Sequence, residues 1–412
     1  MSIQRRSQTV GRHSQAVASL VAALILVASV ASAQQGSAGP PPPPPPPPPG
    51  FGLPLPGLTG DQLAAFNDGK DDFVQVETRA TGLGPIFNRD SCVACHGGPA
   101  VGGSSPILVT RFGRVVSGQF DPLTSLGGSL LQERAIDPSG LEHVPREATV
   151  IARRQSTPLF GLGLIEAIPD AMILRGVRTK PVDGVLGQAS MVVDAASKKT
   201  LVGRFGWKAQ QATLLSFAGD AYLNEMGITN RLFPTENAPN GNLVLLKKLD
   251  TVRDPEDQVD PDSGKAGIDL LADFMRFLGP PPTQPITASN TFGAKLFLDV
   301  GCTSCHTPVM FTGPSKIEAL NAKSVMLYSD LLLHDMGSLG DGIAQGTAGV
   351  REMKTPPLWG LRVSGPYLHD GRAMTIEDAI KAHDGEAKVS KDRFQKLTRD
   401  QQALLVEFLK SI

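Results

Sequence analysis

The chain has 412 residues, a length that suits two to three domains, and 41% hydrophobic side chains, enough to build buried cores. Its 39 basic and 40 acidic residues leave a net charge of −1, and no Lys/Arg run lies beyond the first residues. Such a surface does not collect phosphates, which argues against a nucleic-acid partner.

At the N-terminus, Arg5, Arg6 and Arg12 precede an apolar run from Ala16 to Val30, and Ala31-Ser32-Ala33 follows at once. Charge, apolar stretch and small-residue site together spell an export signal over 1–33, and the run is short for a membrane span. The mature protein is therefore expected in the periplasm with no span of its own. Ten prolines, Pro40 to Pro49, fill most of a spacer at 34–56. Such a run cannot form a core and extends as polyproline II, about 31 Å at roughly 3.1 Å per residue.

All four cysteines fall in two strings, "DSCVACHGG" at 90–98 and "GCTSCHTP" at 301–308. Cys92, Cys95 and His96 form one Cys-x-x-Cys-His motif, and Cys302, Cys305 and His306 the other. The spacing suits c-type haem best: two thioethers fix the macrocycle to one turn of chain, and the next residue offers its imidazole to the iron. A disulfide needs no adjacent histidine. A four-cysteine zinc site would have to join pairs 210 residues apart in sequence. Export agrees with haem, because c-type haem is attached outside the cytoplasm.

The sequence also repeats itself. "SNTFGAKLFLDV", just before the second motif, places Phe292, Leu296 and Val300 at four-residue steps and predicts a helix leading into the haem turn. "RQSTPLFGL" at 154–162 matches "REMKTPPLWGL" at 351–361. Each half then closes on a predicted helix, 268–278 and 402–412, with a Leu-Leu-x-x-Phe stripe, the second opened by a Thr398/Gln401 capping box. The expected fold is mainly α: two tandem cytochrome c-like domains at 57–282 and 283–412, linked through "LGPPPTQP" at 278–285. The first half carries about 76 extra residues, and the segment 189–205 within them reads as a β-hairpin. Further on, Ile376, Ala379, Ile380 and His383 form one apolar helix face behind an N-cap at Thr375, so His383 should point inward.

The strings "GLGPIFNRDSCVACH", "STPLFGLGLIEAIPD", "GRFGWKAQQATLL", "NEMGITN", "LLLHDMG" and "TPPLWGLRVSGPYLHDGRAMTIEDAIKAHDGEA" resemble the di-haem oxidoreductase family, some of whose members are labelled thiol oxidoreductases. The likeness covers nearly everything after the proline run. That family is similar to bacterial di-haem cytochrome c peroxidases and to the di-haem enzyme that matures methylamine dehydrogenase. The resemblance implies two covalently bound haems c, one for chemistry and one for electron transfer, and it does not name a substrate.

It also suggests roles for single residues. In the similar peroxidases a distal methionine lies fourteen residues past the histidine of "HDG", and here that position is His383, implying a bis-histidine second haem. Met336, Met353 and Met374 are the alternative sixth ligands, while His369 and His334 are expected to be structural. Residues 97–142 contain no histidine where the peroxidases carry a distal one, which implies an open first iron unless His143 reaches it. Glu225, eighteen residues past Trp207, matches a glutamate that handles protons at the distal face. Trp207 matches a tryptophan that relays electrons between haems. Ser364 and the carbonyl of Pro366 map onto a calcium site of those peroxidases, whereas the acidic stretch 254–264 lacks the EF-hand spacing and reads as a solvated loop.

The expected function is an exported, peroxidase-like di-haem c oxidoreductase. A peroxide, dioxygen or organic substrate would react at the His96 haem, and electrons would pass through the His306/His383 haem to a soluble or membrane-associated redox partner protein. The rival is a non-catalytic electron carrier with both irons six-coordinate. A redox-thiol enzyme is disfavoured, since thioethers would use every cysteine.

Overall fold

The computed structural model describes residues 48–412, so the export signal and most of the proline run lie outside the described residues. Among the described residues no helix is long and apolar enough to cross a membrane.

Helix α1 (Gly60–Val74) precedes the first motif, and sequence reasoning had passed it over. A capping box opens it: Gln62 N donates to Thr59 Oγ1 at 3.3 Å, and Thr59 N donates to Gln62 Oε1 at 3.0 Å. Phe66, Gly69 and Phe73 form its buried stripe. Between the first motif and its closing helix the chain turns to strand. Strands β1 (Leu108–Val116), β2 (Gln119–Asp121) and β3 (Val150–Gln155) form an antiparallel sheet with β1 in the middle, registered Leu108↔Gln155 through Gly113↔Val150. Strands β4 (Met191–Val193) and β5 (Thr200–Val202) are the anticipated hairpin, paired Met191↔Val202. Helix α2 (Leu214–Ala221) and helix α3 (Gly267–Phe277) complete this half.

In the second half come α4 (Ala288–Asp299), β6 (Leu333–Asp335) paired with β7 (Glu352–Lys354), α5 (Ile376–Ala382) and α6 (Arg399–Ser411). The mainly helical expectation is thus corrected to a mixed chain with several small antiparallel sheets. One cause lies between the first motif and the "RQSTPLFGL" string, where "LVTRFGRVV" is rich in the β-branched and aromatic residues that suit a pleated, half-buried surface.

The described residues form one compact unit, within which one helix crossing occurs twice. Helix α1 packs on α3 and α4 packs on α6, each pair flanking one Cys-x-x-Cys-His motif. Each crossing is closed by a glycine. A Cβ on Gly69 would stand 2.2 Å from Leu270 O, and one on Gly293 would stand 2.2 Å from Leu404 O. This explains a misread face. The buried stripe of α4 runs through Gly293, Leu296 and Phe297, whereas Phe292 is 45% exposed. Turning Gly293 toward α6 rotates Phe292 out, and a glycine gives no apolar signal from which that could be read. The Thr398/Gln401 box stands as anticipated at the start of α6.

Because Gly69 touches backbone, its neighbour cannot yield by changing rotamer. Gly69→Ala is expected to cost about 1–3 kcal/mol, the usual range for overpacking. Denaturant titration against Gly60→Ala, whose added methyl meets nothing within 4 Å, checks this.

Candidate functional site

Three histidines share one device. His96 Nδ1 lies 3.0 Å from Gly103 O, His306 Nδ1 lies 2.9 Å from Tyr328 O, and His383 Nδ1 lies 2.7 Å from Ala379 O. A carbonyl can only accept, so each Nδ1 carries the proton and each Nε2 keeps its lone pair free. That is the tautomer and the outer-shell support a metal-bound imidazole needs. Burial lowers the pKa of all three, so the neutral ring is favoured; for His306 the value falls to about 4.

His306 and His383 also face each other, with ring centres 6.5 Å apart. That separation is close to what two metal–imidazole bonds of about 2.0–2.1 Å and two half-rings would span. His383 is the C-cap of α5, one residue beyond the helix. The anticipated face of Ile376, Ala379, Ile380 and His383 lines a cavity together with Cys302, Cys305 and His306. Among the described residues no second histidine ring faces His96 in this way; its aromatic neighbour is Phe73, ring centres 6.1 Å apart. His143 is exposed, on a loop whose backbone N donates to Asn240 Oδ1 at 3.1 Å. Met336 and Met353 are on the cavity wall, whereas Met374 is 74% exposed.

All four cysteines are unpaired thiols, which leaves them available for thioethers. Cys305, Asp330 and His334 come close enough to suggest a metal trio. Both nitrogens of His334 are already committed, however: Nδ1 lies 2.7 Å from Glu386 Oε2 and Nε2 lies 3.0 Å from Asp330 Oδ2. Burial alone would lower the His334 pKa, but its hydrogen bonds to Asp330, Cys305 and Glu386 raise it to about 12. The two carboxylates thus favour the protonated, ion-paired ring. His334 is a clamp. Glu386 lies three residues beyond His383, and Asp384 accepts from Ser338 N at 3.0 Å and Ser338 Oγ at 2.6 Å. The His383 loop is thus fastened on both sides.

Glu225 sits in a π-turn, Tyr222–Met226, that continues α2. Such widened turns re-aim side chains and recur at functional sites. This one is sewn to the segment entering the first motif: Asn88 N donates to Glu225 O at 2.7 Å, and Asn88 Nδ2 donates to Glu225 Oε2 at 2.7 Å. Met226 Sδ stands 3.8 Å from Cys92 Sγ. Burial, then the nearby Glu225 charge, push the Cys95 thiol up to about 11. The Glu225 carboxyl is itself raised, first by burial, with Arg111 and Asn88 opposing. Asn88 and Arg111 escaped sequence reasoning because a lone Asn or Arg carries no pattern.

Trp207 lies on the cavity wall and is linked to the first motif through hydrogen bonds. Its Nε1 donates to Gln155 O at 2.8 Å; Gln155 Nε2 donates to Ser104 Oγ at 3.2 Å; Ser104 Oγ donates to Ser156 O at 2.7 Å; Ser156 Oγ donates to Cys95 O at 2.5 Å. His369 is buried with its ring centre 6.2 Å from that of Trp207, bracing the same wall. The repeated "TP…GL" strings form two further parts of this wall. Gly161 (φ 71°) and Gly360 (φ 75°) each open a short helical turn in the left-handed region that glycine favours.

The family described as "Di-haem oxidoreductase, putative peroxidase" matches residues 142–412. The chain belongs to that family. Cytochrome c peroxidase Ccp of Escherichia coli (strain K12) is 26% identical over 192 residues, 42% of this chain and 38% of that protein. Methylamine utilization protein MauG of Methylophilus methylotrophus is 29% identical over 161 residues, 35% of this chain and 42% of that protein. The chain thus spans about two fifths of the length of these relatives. A solved MauG-like protein associated with microbial copper homeostasis aligns over 89% of this chain and 92% of its own at 15% identity, with a TM-score of 0.39.

Membership of a di-haem family implies two haems, and the donor sets fit them. Each motif offers two free thiols and one Nε2, and the second has an apolar-walled cavity beside it. For calcium at Ser364 and Pro366 the geometry is sparser: Ser364 Oγ donates to Gly360 O at 2.8 Å. No trio of acidic, histidine or cysteine donors gathers there among the described residues.

Proposed function

We propose that this chain is an exported di-haem c-type oxidoreductase of peroxidase type, with reaction at the Cys92/Cys95/His96 site and electron transfer at the Cys302/Cys305/His306 site. The observation that carries the division of labour is an asymmetry: His306 is faced by a second correctly protonated imidazole, and His96 is not. Haem, when bound, would supply a redox iron, held by His306 and His383 for electron transfer and by His96 for reaction with an oxidant.

The chain's own part is to hold rings and move protons. The carbonyls of Gly103, Tyr328 and Ala379 fix the three imidazoles. Burial favours the acid form of Glu225, and because Asn88 Nδ2 donates to Oε2, Oε1 is the oxygen that would carry a proton to a leaving oxygen. The hydrogen-bonded path from Cys95 to Trp207 favours Trp207 as the electron relay. A redox partner protein and a small oxidant complete the reaction, and the export signal would deliver the enzyme to the periplasm.

Acid–acetone extraction of the purified protein tests the foundation. Two haems per chain should stay with the denatured polypeptide, and Cys302→Ala/Cys305→Ala should leave one. Electron paramagnetic resonance of the oxidised protein should then show one high-spin and one low-spin iron. Two low-spin irons that refuse cyanide would instead identify an electron carrier.

A further inference from the structure

Away from both motifs, Glu236, Asp254 and Glu256 bring one carboxylate oxygen each to within 4.8 Å of one another. The loop 250–257 lays Asp254 and Glu256 beside the strand-like segment that leaves the Glu225 turn. Glu256 Oε2 accepts from Thr229 N at 2.7 Å and from Thr229 Oγ1 at 2.8 Å, and Thr229 Oγ1 also lies 3.2 Å from Asp254 Oδ1.

Glu236 is 9% exposed, and its Oε2 is buried without a hydrogen-bond partner. The charges acting most strongly on it are Glu256, Asp254 and Asp250, all of its own sign. Burial and this repulsion push Glu236 up to about 9, and Glu256, by burial first, up to about 7. Asn237 N donates to Glu236 Oε1 at 3.1 Å, yet among the described residues no Lys, Arg or His pairs with any of the three acids, and carboxylates crowded without a cation are costly to hold.

We infer that Glu236, Asp254 and Glu256 form a binding site for a divalent cation, calcium by donor chemistry. Every donor is oxygen, which selects a hard ion. Calcium–oxygen bonds of about 2.3–2.6 Å let ligand oxygens stand up to about 4.6–5.2 Å apart, so three oxygens all within 4.8 Å of one another can share one ion. Asp254 is exposed, leaving an entry and room for water ligands. The inference is independent of the catalytic reading, and the site is distinct from Ser364 and Pro366.

The ion would fasten three strips of chain. Asp257 N donates to Thr229 O at 3.0 Å, and Asn237 Nδ2 donates to Leu223 O at 3.4 Å, so the site grips both ends of the Glu225 turn. On its other side Glu256 packs on Gly82, where an added Cβ would meet Glu256 Cβ at 2.6 Å. Gly82 belongs to the segment that leads to Cys92.

The test uses the holoprotein stripped with EGTA, dialysed and titrated with calcium chloride alone. Calcium at a hundred times its dissociation constant should raise the melting temperature by about 3 °C for a chain of this size. Elemental analysis after dialysis should show one calcium fewer in Glu236→Gln/Glu256→Gln than in the wild type, and the calcium-induced shift should vanish in that variant. Removing two like charges should leave its calcium-free melting temperature equal to or above that of the wild type, which separates lost binding from misfolding. Ser364→Ala should keep both the calcium and the shift. No calcium-induced shift in the wild type, or equal calcium content in wild type and double variant, would overturn the inference.

Discussion

Glu225→Gln is expected to lower peroxide turnover by about a hundred- to ten-thousand-fold, the usual worth of general acid–base catalysis, while cyanide still binds. Glutamine keeps the size of the side chain and can still accept from Asn88 Nδ2, which donates to Glu225 Oε2 at 2.7 Å. What disappears is the titratable proton. The pH profile adds a signature that a structural role would not produce. Burial raises the Glu225 pKa, so its acid form persists above the ordinary carboxylate range. Wild-type turnover should therefore hold level on the acid side and decline as pH climbs through the raised value. That decline should be missing in the variant. Equal turnover in the two proteins, or an identical decline, would clear Glu225 of the role.

What was legible in the sequence divides along a physical line. The Cys-x-x-Cys-His motifs could be read because the covalent attachment proposed for them would need fixed residue types at fixed spacing. The inward face of α5 could be read because Ile376, Ala379, Ile380 and His383 keep helical period, and all four line the cavity. Where backbone atoms do the work, no letter records it. The oxygens that orient the three imidazoles belong to Gly103, Tyr328 and Ala379, residues with nothing in common except a carbonyl.

Glycine hides packing for a related reason. Gly69 and Gly293 mark the two closest helix approaches, yet they add nothing to a hydrophobic stripe, and so Phe292 was placed on the wrong face. The acidic loop that read as a solvated surface contributes Asp254 and Glu256 to a cluster completed by Glu236, eighteen residues before Asp254. Sequence spacing could not have joined them. The His334 clamp likewise depends on Glu386, 52 residues away, and only folding makes it a buried ion pair.

His383→Ala is expected to convert the second haem from low spin to high spin and leave the first unchanged. Two neutral imidazoles impose a strong field, and removing one leaves the iron five-coordinate or water-bound. The fold should tolerate the change, because the loop is held by its neighbours rather than by the ring: Asp384 accepts from Ser338, and Glu386 pairs with His334 at 2.7 Å. The lost contact is the single hydrogen bond from His383 Nδ1 to Ala379 O. Added imidazole should enter the space left by the ring and restore the low-spin spectrum, an outcome that collapse of the loop could not give. Met336 and Met353 share the cavity wall and are the residues that could replace His383 as ligand. A low-spin spectrum unchanged in His383→Ala would assign the sixth position to one of them, and the electron-transfer site would then have to work at the higher potential that a thioether confers.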